Sequence, residues 1–193
     1  MYGFKVFVAE PEKGQRKAIT NTLIQTGAII IGETGDGREA ANLIFELQPD
    51  LALVSTDLPR RNGFEIARVV SEQKGSPIIL VASFFSWEIL QSAKDCGAYN
   101  LLLKPVESNS LIIASQLAIN WHERNLIIEQ EKRKLLDELE ARKLIERAKG
   151  LLVKAKKIDE GEAYKLMRKL SMDQSKNMKQ IAREIIRLLS SSV

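Results

Sequence analysis

Pro49-Asp50-Leu51-Ala52-Leu53-Val54-Ser55-Thr56-Asp57-Leu58-Pro59-Arg60-Arg61-Asn62-Gly63 is the stretch whose reading decides the fold. Leu51–Val54 is a short, wholly apolar run, and Gly63–Gln73 behind it has helical spacing. An apolar run of that length followed by a helical pattern is expected to be a buried strand feeding a helix. Similar runs recur at Lys5–Ala9, Ala28–Ile31, Ile78–Ala82 and Ala98–Leu103. Helical patterns lie between them at Lys13–Thr26, Gly37–Leu47 and Trp87–Asp95, with Gly27, Pro49, Gly75 and Gly97 as punctuation. Five strands alternating with helices predict an α/β domain with a parallel sheet covered on both faces. Near-continuous apolarity, rather than alternation, predicts burial of the strands from both sides.

After Lys104-Pro105 the pattern changes, and from Ser108 to about Lys154 there is no proline and no glycine except Gly150. Trp121, Ile128 and Leu135 are spaced by seven, with Leu139 four further on. This spacing predicts a long helix with a dimerising seam, imperfect because Asn125, Lys132 and Arg142 fall on or near it. A single solvated helix carrying a few apolar residues is the other reading. Asp159 and Glu162 form a capping-box pair before Ala163–Leu170, Asp173–Asn177 breaks that helix, and Met178–Leu189 forms another. Ile181, Ile185, Leu188 and Leu189 would face Met167 and Leu170 in a small three-helix bundle. Ala148, Gly150, Ala163 and Ala182 would let its helices approach closely.

Composition narrows the chemistry. With 193 residues and 45% hydrophobic content, the chain is not disordered throughout. Cys96 is the only cysteine, which excludes an internal disulfide and a cysteine zinc site, and the single His122 has no co-ligand. The N-terminal apolar run is too short for a signal peptide, and no run of eighteen apolar residues occurs, so a soluble cytoplasmic protein is expected. Charge is unevenly placed. Residues 142–193 hold fourteen Lys and Arg against six carboxylates, a surplus of eight, whereas residues 1–120 hold eleven against thirteen. A basic tail on a nearly neutral body suits a phosphate-backbone binder. Arg147, Lys149, Lys154, Lys156 and Lys157 cluster at one helix end, Lys165, Arg168 and Lys169 share a helix face, and Lys176 and Lys179 open the last helix.

Residues 1–120 resemble a response-regulator receiver domain, through the opening string and through Lys104-Pro105 after Leu101-Leu102-Leu103. The resemblance implies a flavodoxin-like (βα)5 fold. It also implies an acidic pair holding Mg²⁺, an aspartate that accepts phosphate, a sensing hydroxyl, an aromatic switch and a lysine. At those positions this chain has Glu10 and Pro11, Ser55, Ala82 (with Ser83 beside it), Leu101 and Lys104. The expected state is a pseudo-receiver with no metal and no cofactor. Asp57, two residues past Ser55, is a poor substitute acceptor, and Lys104 is expected to be structural.

Residues 142–193 resemble an ANTAR domain, the output module of transcription antitermination regulators. The matching residues are Ala148-Lys149-Gly150-Leu151-Leu152, then Glu162-Ala163-Tyr164 with Leu166 and Arg168-Lys169, then Ile181-Ala182 with Ile185-Ile186. Ser171 departs from the usual alanine. The resemblance implies an RNA-binding regulator that engages paired hairpins of a leader transcript as a homodimer, with residues 121–141 as the coiled-coil linker. It also implies control by a partner such as a sensor protein, while the lack of a long apolar run is the reason no membrane attachment is expected. Tyr164 would either stack on an RNA base or sit in the core. A DNA-binding response regulator and a protein-interaction adaptor with a basic tail are the alternatives. No helix-turn-helix spacing supports the first of these. No nucleophile–base pair, metal set or Gly-rich phosphate loop points to an enzyme.

Overall fold

The computed structural model describes residues 3–190. Residues 1, 2 and 191–193, the outer ends of the expected first and third segments and the start of the N-terminal apolar run, lie outside the described residues. Two compact units divide the chain, one ending at Leu126 and the other beginning at Ile127.

The first unit alternates strands and helices: β1 (Lys5–Ala9), α1 (Lys13–Gln25), β2 (Ile29–Thr34), α2 (Gly37–Leu47), β3 (Leu51–Ser55), α3 (Gly63–Glu72), β4 (Ile78–Ala82), α4 (Trp87–Asp95), β5 (Asn100–Leu103) and the start of α5 (Ser108–Lys156). All strand pairs are parallel, in the order β2-β1-β3-β4-β5. Successive side chains leave a strand on opposite faces, and each face carries its own core. Phe7, Val54 and Leu80 pack with Ile44, Ile66 and Val70 of α2 and α3. Val8, Leu53 and Val81 pack with Leu23 of α1 and with Leu111 and Ile119 of α5. Two cores on one sheet are what turn the strand sequences into continuous apolar runs.

That burial is complete for β3 and β4 and for all of β1 after Lys5, but the sheet edges depart from it. β2 and β5 are edge strands with half-exposed residues. β2 runs three residues beyond the expected Ala28–Ile31, through Gly32-Glu33-Thr34, which ladder to β1 although they are not apolar. β5 starts at Asn100 rather than Ala98, because the Ala98 amide donates back to the Ala93 carbonyl to close α4. Gly63 fits the opening string to this fold: a Cβ there would lie 2.4 Å from the Ser55 carbonyl oxygen. Only glycine lets α3 start that close to the end of β3.

In the second unit the end of α5 joins α6 (Glu160–Asp173) and α7 (Met178–Ser190). Asp159 accepts from the Glu162 amide at 2.7 Å and Glu162 returns the contact, so the expected capping box is formed. Ala148, Leu152, Ala163, Met167, Ile181, Ala182 and Ile185 make the core, with Leu170 and Leu189 packed against it. Two expectations fail here. Leu188 is exposed, because it falls at the edge of the α7 face on which Ile185 and Leu189 pack. Gly150 is exposed as well, and a Cβ on it would meet nothing within 4 Å, so it does not bring helices together.

Candidate functional sites

The C-terminal ends of β1, β3 and β5 bring Glu10, Ser55 and Lys104 together. Register sets this: Ala9 pairs with Val54 across β1 and β3, and Ala82 with Leu103 across β4 and β5, so the next residues emerge at one edge. Lys104 Nζ donates to Glu10 Oε1 at 2.8 Å and to Ser55 Oγ at 3.2 Å. Its amide donates to the Ala82 carbonyl, and the Lys104–Pro105 peptide is cis. Glu10 is 1% exposed, and its second oxygen, Oε2, has no hydrogen-bond partner. A buried carboxylate needs a counter-charge, and the Lys104 ammonium supplies it from within the chain.

Receiver resemblance implies Mg²⁺ at this edge, and the residues present do not fit it. Mg²⁺ requires near-octahedral oxygen ligands. Glu10 offers one free carboxylate oxygen, Pro11 offers no side-chain ligand, and Ser55 offers a fully buried hydroxyl already within reach of Lys104. Asp57 is engaged elsewhere: Ser83 Oγ donates to its Oδ2 at 2.6 Å and Thr56 Oγ1 to its Oδ1 at 3.1 Å. Asp57 thereby ties the loop after β3 to the loop after β4, a link that sequence spacing gave no sign of. Leu101, at the aromatic-switch position, is half-buried against the α2–α4 core. Beyond Ser83 the exposed aromatics Phe84, Phe85 and Trp87 follow, the last two edge-to-face with ring centroids 5.6 Å apart. His122 Nδ1 lies 3.0 Å from the Tyr99 hydroxyl; burial lowers its pKa and the nearby Glu123 partly opposes the shift.

On α5 every residue from Glu123 to Glu140 is exposed. Trp121, Ile128, Leu135 and Leu139 are each half exposed or more. In the first unit Ile113 and Leu117 precede Trp121 at four-residue steps and are exposed too, an extension of the stripe that heptad spacing missed. In the second unit helical geometry puts Ile128, Leu135 and Leu139 on the side of α5 opposite Asp137, Leu144 and Ala148. Leu144 and Ala148 belong to the bundle core, so the stripe is not consumed by it.

The ten basic residues expected to meet RNA divide into two groups. Lys149 pairs with Glu146 at 3.0 Å and Glu160 at 3.5 Å, and Lys176 with Glu184 at 2.6 Å. Lys179 bonds Asp137 and Glu140, and Arg183 joins it on Glu140 at 2.9 Å. Hydrogen bonds from Lys179 and then Arg183 hold the Glu140 carboxyl below its usual range, while those from Lys179 to Asp137 and Glu140 raise the ammonium. Arg147, Lys154, Lys156, Lys157, Lys165, Arg168 and Lys169 are exposed and form no ion pair among the described residues. Tyr164 is 46% exposed, outside the core, one turn from Arg168 on α6.

Residues 6–116 match the family described as response regulator receiver domain, and residues 133–186 match the ANTAR domain. Transcriptional regulatory protein PdtaR of Mycobacterium tuberculosis is 34% identical over 185 residues, 96% of this chain and 90% of that protein. The solved signal receiver domain of the putative response regulator NarL from Mycobacterium tuberculosis superposes with a TM-score of 0.59 at 23% identity, covering 62% of this chain and 98% of that one. The receiver domain of a modulated diguanylate cyclase from Desulfovibrio desulfuricans gives 0.59 at 27% identity, covering 64% and 98%. No helix among the described residues is long and apolar enough to cross a membrane.

Proposed function

The chain belongs to the response regulators, pairing a receiver domain with an ANTAR domain, and on that premise we propose an RNA-binding regulator of transcription antitermination. It is a regulatory protein rather than an enzyme. In this reading it works in the cytoplasm as a homodimer on hairpins of a leader transcript. Residues 1–120 are the pseudo-receiver, 121–141 the pairing helix and 142–193 the RNA-binding module.

The observation that carries the reading is the set of seven exposed cations that form no ion pair among the described residues, three of which share α6 with the exposed Tyr164. Unpaired cations gain most from meeting phosphates, because no internal ion pair has to break first. An exposed aromatic ring offers a platform for an unstacked loop base. Replacing Arg168 and Lys169 together by alanine is expected to weaken binding to a two-hairpin RNA about tenfold or more and to flatten its salt dependence by roughly two phosphate contacts. Gel shifts across a salt series measure this. Equal affinity for duplex DNA would favour the DNA-binding alternative, and salt-insensitive or absent binding to both would favour the adaptor.

Control by a partner protein rather than by aspartyl phosphate is the reading that the residues at the strand ends support. Ser55 has no carboxylate to accept phosphate, Glu10 has a single unpaired oxygen with its other held by Lys104, and Asp57 is bonded to Ser83, a poor set for metal-assisted phosphoryl transfer. The exposed Phe84, Phe85 and Trp87 give such a partner an apolar foothold. Incubation with a small-molecule phosphodonor and Mg²⁺ is expected to leave the intact mass unchanged. An added phosphate that Asp57→Asn abolishes would overturn the pseudo-receiver reading.

A further inference from the structure

Gly150 lies inside α5, six residues before its end, and nothing among the described residues accounts for it. Its φ is not among the positive values, so no turn requires it. Ala148, Ala163 and Ala182 are small because they are fully buried between helices, whereas Gly150 is exposed and faces open space. Glycine is a poor residue for a helix interior, since it gives up the most backbone freedom on folding. A missing side chain with a folding cost and no internal use points to something outside the bundle that approaches the helix backbone.

The surroundings name its chemistry. Lys143, Arg147 and Lys154 stand seven and three residues before Gly150 and four after it, which puts all of them on its face of the helix. All three are exposed and free of ion pairs among the described residues. Glu146, four residues before Gly150 and so on the same face, is bound to Lys149, as is Glu160. An open notch at Gly150, flanked by three cations without ion pairs and by a single acid already held by Lys149, fits a thin polyanion lying across it. A ribose–phosphate strand has that form, and its 2′-hydroxyl can donate to a helix carbonyl that no side chain shields.

We propose that Gly150 is the point of closest contact with RNA, where the ribose–phosphate strand lies directly on α5 with Arg147 and Lys154 on its phosphates. The proposal rests on the RNA-binding reading and deepens it. Gly150→Ala separates a contact role from a folding role, because the two predict opposite signs. The methyl group enters open space and favours the helix, so the thermal midpoint of the second unit is expected to rise by a few degrees. The same methyl holds the strand away, so affinity is expected to fall about tenfold.

Full-length protein is titrated against an RNA carrying two stem–loops with randomised loops, with sedimentation of the free protein in parallel. Raised stability, weakened RNA binding and an unchanged oligomeric state support the proposal. Undiminished RNA binding by Gly150→Ala overturns it while leaving the RNA-binding reading intact. A variant that instead shifts the monomer–dimer equilibrium also overturns it and assigns the notch to a second copy. Wild-type protein that binds none of these RNAs removes the reading and the proposal together.

Discussion

Lys104→Met is expected to destabilise the first unit by about 3–5 kcal/mol, the usual cost of stripping the counter-charge from a buried ion. Glu10 is 1% exposed and Lys104 only 10%, and their 2.8 Å contact is the one ion pair Glu10 makes. Without the ammonium, Glu10 keeps only a 3.2 Å contact from the Glu12 amide, and its other oxygen already lacks a partner. The measurement is favourable, because both tryptophans, Trp87 and Trp121, belong to the first unit. Denaturant unfolding of the full chain is followed by tryptophan fluorescence at several protein concentrations, because Trp121 lies on the proposed pairing stripe and dissociation has to be separated from unfolding of that unit. Pairing the change with Glu10→Gln removes the stranded charge and is expected to restore most of the loss. A single variant within about 1 kcal/mol of wild type would show that Lys104 does not serve as the internal counter-ion.

Ile128→Asp combined with Leu135→Asp is expected to leave the protein monomeric. It is also expected to lower affinity for a two-hairpin RNA by about 10²–10⁴-fold, while binding to one isolated hairpin stays unchanged. Both residues are exposed on the side of α5 away from the bundle, so the second unit has no reason to unfold. The fall comes from lost linkage: a monomer meets the second hairpin at its bulk concentration rather than at the effective concentration set by the first contact. Sedimentation equilibrium and the two titrations measure it. A dimer that survives both aspartates would move the pairing surface elsewhere, for instance to the neighbouring Ile127 and Leu136, which are also exposed.

The sheet and its helices were legible because two cores on one sheet demand uninterrupted apolar runs, and five such runs are present. Edges were harder: Gly32, Glu33 and Thr34 pair with β1 through backbone groups, which composition does not reveal. Glu10, Ser55 and Lys104 could be located by their positions at strand ends, yet the Asp57–Ser83 bond joins residues 26 apart through a rotamer choice that no spacing encodes. For the same reason the ten basic residues looked alike in the sequence. Lys179 and its acids are 39 and 42 residues apart, so only the folded bundle distinguishes the cations it uses internally from those it leaves outward. Gly150 was misread for a related reason: a small residue beside Ala148 suggests close packing until the helix face it occupies is known.

In the homodimer proposed above, the exposed stretch from Glu123 to Glu140 would also make the protein responsive to its own abundance. An isolated helical segment of that length is marginal in water, and among its supports from within the chain are the ion pairs at Asp137 and Glu140. When copies are scarce, that segment would fray, and as synthesis proceeds pairing would raise its helicity with the number of chains. Low expression would then leave leader transcripts to terminate by default, and a modest rise in copy number would pass through a threshold. The pairing helix is in that sense a dosage meter written into the chain.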